Sequence, residues 1–247
     1  MKAMILAAGT GTRMLPLTEA KPKALIEVQG IALLEHTIRY LAYFGVDEMI
    51  INVHHHAQQI IDFIKKKNAF GLRIEFSDES IELLDTGGGL YKARWFFDDG
   101  KPFILTSSDV ITTLDLHAMQ RFHTERSPLV TLAVKHRKSS RDFIFDRDDR
   151  LCGWHNNVSG ESRVVRQVQE QFKKAFSTIH LLSTDIFDQI TERGRFSIVD
   201  VYLRLAPTQL IMGFEHDDSL WYECGRMENF QKLNQLPEIQ SIYNKFH

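Results

Sequence analysis

The chain has 247 residues, 43% hydrophobic and 25% charged, with 30 Lys and Arg against 32 Asp and Glu for a formal net charge of −2. That length supports one large α/β domain with a sizeable core, and the composition excludes a disordered or fibrous chain. The near-balance of charge argues against a nucleic-acid or membrane-surface partner, which would call for a clustered excess of Lys and Arg.

The opening MKAMILAAG predicts a buried strand over residues 3–8 rather than a signal peptide, because its apolar run is short and breaks at Gly9. No stretch approaches the ~20 apolar residues that span a bilayer. Residues 31–44 predict a helix with Leu33, Leu34, Ile38 and Leu41 on one face; 48–53 a strand; 58–67 a helix through Ile60, Ile61 and Ile64; and 72–76 a strand. A helix is expected to begin at Gly89 and reach Trp95, and 103–105 and 129–134 read as buried strands. Such β-α-β alternation implies a Rossmann-like α/β fold, a mostly parallel sheet flanked by helices.

Beyond it the pattern changes. Residues 143–154 alternate around Asp148-Asp149 as a hairpin, 176–182 read as a strand, 198–205 as a helix, and the tail from Met227 as a helix with a polar end. We therefore expect a single domain over 1–247, with halves 1–135 and 136–247, the second adding a small β-hairpin and C-terminal elaboration. The two cysteines, Cys152 and Cys224, are too few and too far apart for a disulfide framework or a cysteine zinc site, and point to a reducing, cytoplasmic setting.

After the first strand come Leu6, Ala7, Ala8, Gly9, Thr10, Gly11, Thr12 and Arg13. A glycine loop in that place can turn backbone N–H groups toward phosphate oxygens. The two familiar templates fail: no lysine follows Gly9 or Gly11 as a P-loop requires, and Met14 occupies the third glycine position of G-x-G-x-x-G, with Pro16 preventing an immediate regular helix. What remains are small residues that let a ligand approach the backbone, and an arginine whose fork of donors fits phosphate. Lys21 and Lys23 flank Pro22 just beyond. Taken alone, the loop is equally a turn with solvated basic residues.

The run from Leu6 to Thr18, followed by Lys21-Pro22-Lys23-Ala24-Leu25, resembles the L-A-A-G-x-G-T-R-[LM]-x-P-L-T and P-K-P-L signature of the GT-A-like sugar-1-phosphate nucleotidyltransferases. Within that family it is most similar to the short bacterial members of the N-acetylmuramate-1-phosphate uridylyltransferase and mannose-1-phosphate guanylyltransferase type. The resemblance continues through Asn52-Val53-His54-His55-His56, Asp85-Thr86-Gly87-Gly88-Gly89, Asp109, Phe176-Ser177 and Trp221-Tyr222-Glu223-Cys224-Gly225.

The resemblance implies that a sugar 1-phosphate attacks a nucleoside triphosphate, UTP or GTP being favoured, to give a nucleotide sugar and pyrophosphate. The attacking phosphate monoester, with a second pKa of ~6, is already largely dianionic and needs no general base. The barrier is electrostatic, so catalysis becomes positioning and charge neutralisation. By resemblance Arg13 sits on the departing phosphates and Lys23 near the reacting centre, with Asp109 completing the catalytic set. Nucleotide contacts are implied for Leu6, Ala7, Ala8, Gly9, Gly11, Thr12, Arg13, Lys23, Asp85, Thr86, Gly87 and Gly88. Asp109 and Glu223 are the implied ligands of Mg2+, and Phe176, Ser177, Thr178 and Glu223 the implied sugar-phosphate contacts.

The chain departs from the family at Glu223, where W-x-D-V-G-T has aspartate, at Arg226, where it has threonine, and at Thr178, where glycine is usual. The weighed alternatives are a nucleotide- or nucleotide-sugar-binding regulator and a cytidylyltransferase acting on a phosphorylated alcohol. A monomer or homodimer is expected, with neither nucleic acid nor membrane as partner. His54-His55-His56 reads as structural rather than a metal site, Lys65-Lys66-Lys67 as a solvated helix end, and Lys21 as surface. The stretch 141–174, with Trp154, Arg163 and Arg166, is expected to cover the sugar, with Asp142, Asn157 and Glu161 as possible contacts.

Overall fold

The computed structural model describes Met1–His247. Its elements begin with β1 (Lys2–Leu6), β2 (Glu27–Val28), β3 (Ile31–Ala32), α1 (Leu33–Tyr43), β4 (Glu48–Val53), α2 (Ala57–Lys66), β5 (Arg73–Asp78) and α3 (Asp85–Lys92). The middle of the chain forms β6 (Phe103–Ser107), β7 (Val110–Thr112), α4 (Leu116–Arg126), β8 (Val130–Lys135), β9 (Arg141–Phe145), β10 (Leu151–Asn156), β11 (Ser162–Val164) and β12 (Phe172–Leu182). The remainder is α5 (Ile186–Gln189), α6 (Ile198–Leu205), β13 (Ile211–Glu215), β14 (Trp221–Glu223), α7 (Met227–Leu233) and α8 (Pro237–Phe246). The fold is α/β, as expected, and no helix is long and apolar enough to cross a membrane.

Two compact units are distinguished. The first comprises residues 1–84, 106–114 and 220–247. Its strands β1, β4 and β5 pair in parallel, with Leu6 opposite Asn52 and Val53 opposite Asp78. The apolar runs that make them strands supply the core: Met4, Ile5, Met49, Ile50 and Ile51 are fully buried. Helix α1 is buried nearly all round, and takes in the polar Glu35, His36 and Thr37 as well as the four expected apolar residues. Glu35 is accommodated there because Arg39 and Lys67 each approach its carboxylate at 2.9 Å. Burial alone would raise that carboxyl, but Lys67 and Arg39 together hold it below the usual range. Lys67, expected to be merely solvated, is therefore an ion-pair partner.

The tail also corrects the sequence reading. The expected polar end is the second helix, α8, whose Ile239, Ile242 and Phe246 recur at helical spacing and are buried, Phe246 against Tyr40 and Tyr43.

The second unit comprises residues 85–105 and 115–219. Here β12 pairs antiparallel with both β8 and β9, β9 with β10 and β10 with β11, while β13 joins β8 in parallel. The expected hairpin turns at Asp148-Asp149, where Asp149 adopts φ 59. Helix α3 starts at Asp85, four residues before the expected Gly89. Its glycines are poor helix formers, but the Phe196 carbonyl accepts from Gly87 N–H and Gly88 N–H at 2.9 and 3.2 Å, which fixes the first turn.

Candidate functional site

In the first unit the parallel register brings the implied phosphate loop and its supports together. The loop leaves β1 at Leu6, whose carbonyl accepts from Ser108 N–H at 3.1 Å. Gly11 sits at φ +66, and a Cβ there would lie 2.7 Å from the Thr18 methyl, so only glycine fits the turn. Thr18 closes the loop by donating its hydroxyl to the Gly11 carbonyl at 2.8 Å. The next residues form a single tight turn, Thr12–Met14, anchored by the fully buried Met14. Arg13 is exposed on that turn and has no ion pair. Lys21 instead pairs with Glu27 at 3.1 Å on the surface, in keeping with the role expected of it.

Asp109 occupies the two-residue turn between β6 and β7, at the carboxyl end of β6. Lys23 Nζ pairs with its Oδ2, and Ser107 Oγ donates to its Oδ1 at 2.6 Å. Burial alone would raise this carboxyl, but the Lys23 ammonium beside it, together with the Ser107 hydroxyl, holds it below the ordinary carboxylate value. Asp109 is thus a fixed anion across the neutral range, buried to 8% exposure yet hydrogen-bonded on both oxygens.

Glu223 reaches the same end of the unit because β14 pairs antiparallel with β7, placing Glu223 opposite Val110, and because Cys224 N–H donates to the Asp109 carbonyl at 2.8 Å. Its carboxylate folds over Gly225, where a Cβ would lie 2.4 Å from Oε1. Asn229 holds the strand end by donating to the Glu223 carbonyl at 3.0 Å. Burial pushes the Cys224 thiol up to about 12, so it stays protonated beside Lys23, Asp109 and Glu223.

Two residues that the sequence reading gave no role complete this corner. Asn52 Oδ1 accepts from Ala7 N–H at 2.7 Å, and its Nδ2 donates to Glu79 at 2.7 Å. Asn52 carried a signal, as a polar residue inside the apolar run Met49-Ile50-Ile51-Asn52-Val53; Glu79, in a loop, carried none. The three histidines lie in the turn after β4 and not on the strand; His54 Nδ1 bonds the Glu79 carbonyl at 2.8 Å.

In the second unit, Asp85 stands at φ 61 at the head of α3, with its Oδ1 accepting from Thr86 N–H at 2.6 Å, while Thr86 Oγ1 accepts from Ile198 N–H at 3.0 Å. A Cβ on Gly87 would meet the Phe196 ring at 2.5 Å, so close internal packing accounts for that glycine. The N–H groups of Gly87 and Gly88 are spent on Phe196, as described above, and are not open donors.

Phe176, Ser177 and Thr178 lie in an irregular stretch of β12, where Phe176 faces Val134 and His180 faces Leu132. Between those two pairings β12 carries more residues than its partner, and Thr178 takes up the excess at φ 58. A β-branched residue in the left-handed region is strained. Replacement by glycine is expected to stabilise the protein by about 1 kcal/mol, read as a rise in the urea midpoint at unchanged slope; a lower midpoint would show the threonine side chain to be worth more than its strain. Ser177 is fully buried and bonds His216 Nε2 at 2.8 Å, and the Phe176 carbonyl accepts from Arg137 at 2.7 Å.

Other expected contacts have internal partners. Both oxygens of Asp142 are taken, by Ser139 and by Asn157 at 2.6 Å each. Arg163 pairs with Asp200 at 2.6 Å and Arg166 with Asp146 at 3.2 Å.

A parallel three-stranded core with a glycine loop at the carboxyl end of its first strand, a lysine–aspartate pair beside it and a second carboxylate on a paired ribbon is the layout of an α/β protein, whose ligand sites lie at the carboxyl ends of the strands. The family model described as nucleotidyl transferase matches residues 2–152, and the chain belongs to that family. It is 40% identical over 236 residues to an N-acetylmuramate alpha-1-phosphate uridylyltransferase of Neisseria meningitidis serogroup B, covering 96% of this chain and 98% of that protein. A protein of the same description from Caulobacter vibrioides is 43% identical over 104 residues, a match spanning 41% of this chain but only 43% of the relative. Among solved structures, UDP-glucose pyrophosphorylase from Acinetobacter baumanii superposes with a TM-score of 0.77 at 14% identity, over 99% of this chain and 97% of the other, a likeness of fold.

Proposed function

We propose that the protein joins a sugar 1-phosphate to a nucleoside triphosphate, releasing pyrophosphate. The observation that carries the reading is the Lys23–Asp109 pair beside a loop that presents small residues and an unpaired Arg13. Arg13 is free to fork onto the departing phosphates, and Lys23, released from or shared with Asp109, neutralises the phosphate under attack. Leu6, Ala7, Ala8, Gly9, Gly11 and Thr12 line the approach to the triphosphate. In the second unit Asp85, Thr86, Gly87 and Gly88 keep the base-contact role implied by their motif, through side chains and α-carbons rather than the two occupied N–H groups. Phe176, Ser177 and Thr178 keep the sugar-phosphate role.

Asp109 and Glu223 offer hard oxygen donors, and carboxylates retain lone pairs beyond the hydrogen bonds they already accept, so they fit a magnesium ion that takes one or two protein carboxylates. Bound there, the ion supplies further neutralisation of phosphate charge. The near full-length relationship to the Neisseria uridylyltransferase supports UTP with N-acetylmuramate 1-phosphate as the first substrate pair to test, in a cytoplasmic setting.

The test is pyrophosphate release with magnesium, each triphosphate and a panel of sugar 1-phosphates, with CTP and phosphocholine included. Turnover with a sugar 1-phosphate is expected; triphosphate binding without turnover on any pair would leave a binding protein instead. Glu223→Asp shortens the side chain by one methylene and is expected to retain or raise turnover if the carboxylate is a ligand, since the family carries aspartate there. A stable protein with turnover lowered more than about tenfold would show that the chain is built around the longer reach.

A further inference from the structure

Glu79 is a carboxylate at 1% exposure with no cation beside it. Each of its oxygens takes one neutral donor: Oε1 the Asn52 amide at 2.7 Å and Oε2 the Leu84 N–H at 3.0 Å. Its own N–H extends the strand pairing by donating to the Val53 carbonyl at 2.7 Å. Across the strand, Asn52 passes the connection on by accepting from Ala7 N–H at 2.7 Å.

The polarity of this chain is forced. A carboxylate only accepts, so Asn52 must turn its NH2 toward Glu79, and its carbonyl is then the atom left to receive Ala7 N–H. Ala7 lies in the loop that the proposed function assigns to the triphosphate, and this inference rests on that reading. We infer that Glu79 is a positioning residue for nucleotide binding: by orienting the Asn52 amide it sets where the Ala7 backbone stands, and the same carboxylate pins the segment at Leu84.

Donor arithmetic supplies a sharp test. In Glu79→Gln the side chain has one oxygen for two donors, so wherever it turns, one N–H in the row Ala7, Asn52, Leu84 faces another donor. In Asn52→Asp two buried carboxylates face each other. The double variant Asn52→Asp with Glu79→Gln repairs both faults at unchanged net charge. Its aspartate, introduced on β4, accepts from Ala7 N–H and from the NH2 of the introduced glutamine, whose oxygen is then left to accept from Leu84 N–H.

The measurements are calorimetric Kd values for UTP and for GTP with magnesium, KM and kcat for pyrophosphate release, and the thermal midpoint of all four proteins. Glu79→Gln is expected to raise Kd and KM for the triphosphate about tenfold or more, the scale of one misplaced buried hydrogen bond, with kcat changed far less. The double variant is expected to recover most of that affinity, which also guards against a single variant that folds poorly. A Glu79→Gln protein that melts lower but binds triphosphate like the unsubstituted one, or a folded double variant no better than Glu79→Gln, overturns the inference. Failure of the unsubstituted protein to bind either triphosphate overturns the functional reading itself, and this inference with it.

Discussion

Asp109→Asn is expected to lower turnover by about two to three orders of magnitude, the cost typical of deleting a preorganised electrostatic group, while the protein still folds. An asparagine's one oxygen can accept from Lys23 while its NH2 donates to the Ser107 hydroxyl, whose proton turns away, so the turn between β6 and β7 keeps both contacts. What disappears is the negative charge, and with it the ionic partner of Lys23 and one donor for a divalent ion. The structural penalty is that of a charged hydrogen bond made neutral, about 1–3 kcal/mol. Because the folded-state carboxyl lies below its ordinary value, its contribution to stability is present throughout the neutral range and is lost only as pH falls below the usual carboxylate range. Initial rates of pyrophosphate release together with a circular-dichroism melt decide the matter. Near-normal turnover in a folded variant would remove Asp109 from the machinery.

The second large effect is on stability against acid. His36, His123 and His216 are buried and depressed to about 4, and His180 to about 3, in each case chiefly because burial disfavours the charged ring. The unfolded chain takes up protons on these rings near pH 6.5, whereas the folded one does not. Where the unfolded state binds more protons, stability rises with pH; their contribution is therefore complete above about pH 6.5 and drains away as pH falls toward 4. A shift of this size is worth roughly 3 kcal/mol per ring, a large fraction of the stability of an ordinary domain. Urea titrations at pH 7.5 and pH 5 are expected to show a fall of several kcal/mol at pH 5, with net proton uptake on unfolding. Equal stability at the two pH values would mean that these rings are hydrated or protonated in the folded protein.

Where periodicity and burial agree, the elements are legible from residues alone. Strand β4 and helix α6 match the expected 48–53 and 198–205 residue for residue, since each is a compact run of apolar residues with clear boundaries. Helix α4 is not legible from periodicity because its sequence LHAMQRFHTER is mostly polar, with only Leu116, Met119 and His123 buried. The early start of α3 was hidden for the opposite reason: three glycines look like a loop, and only contact with Phe196 makes them a helix. Strand β13 is no more legible, since it gains its place by parallel pairing with β8, a partnership between segments far apart in the chain.

The loop and its charged residues stand out in the sequence because their chemistry is local: glycine at Gly11, a forked cation at Arg13, lysine at Lys23 beside a proline. Their division of labour does not. Nothing in the spacing says that Lys23 finds Asp109, that Lys21 stays on the surface with Glu27, or that Glu223 is brought beside Val110 by a strand much later in the chain. The sequence by itself determined the α/β class, the family and the position of the glycine loop after the first strand, all of which rest on short-range pattern. Only the tertiary structure decided the partners, because ion pairs and buried hydrogen bonds depend on which distant segments share a low-dielectric corner. Asn52 and Glu79 show the difference most plainly: one is a polar intruder in a strand and the other an ordinary loop glutamate, until the parallel register sets them in line with Ala7.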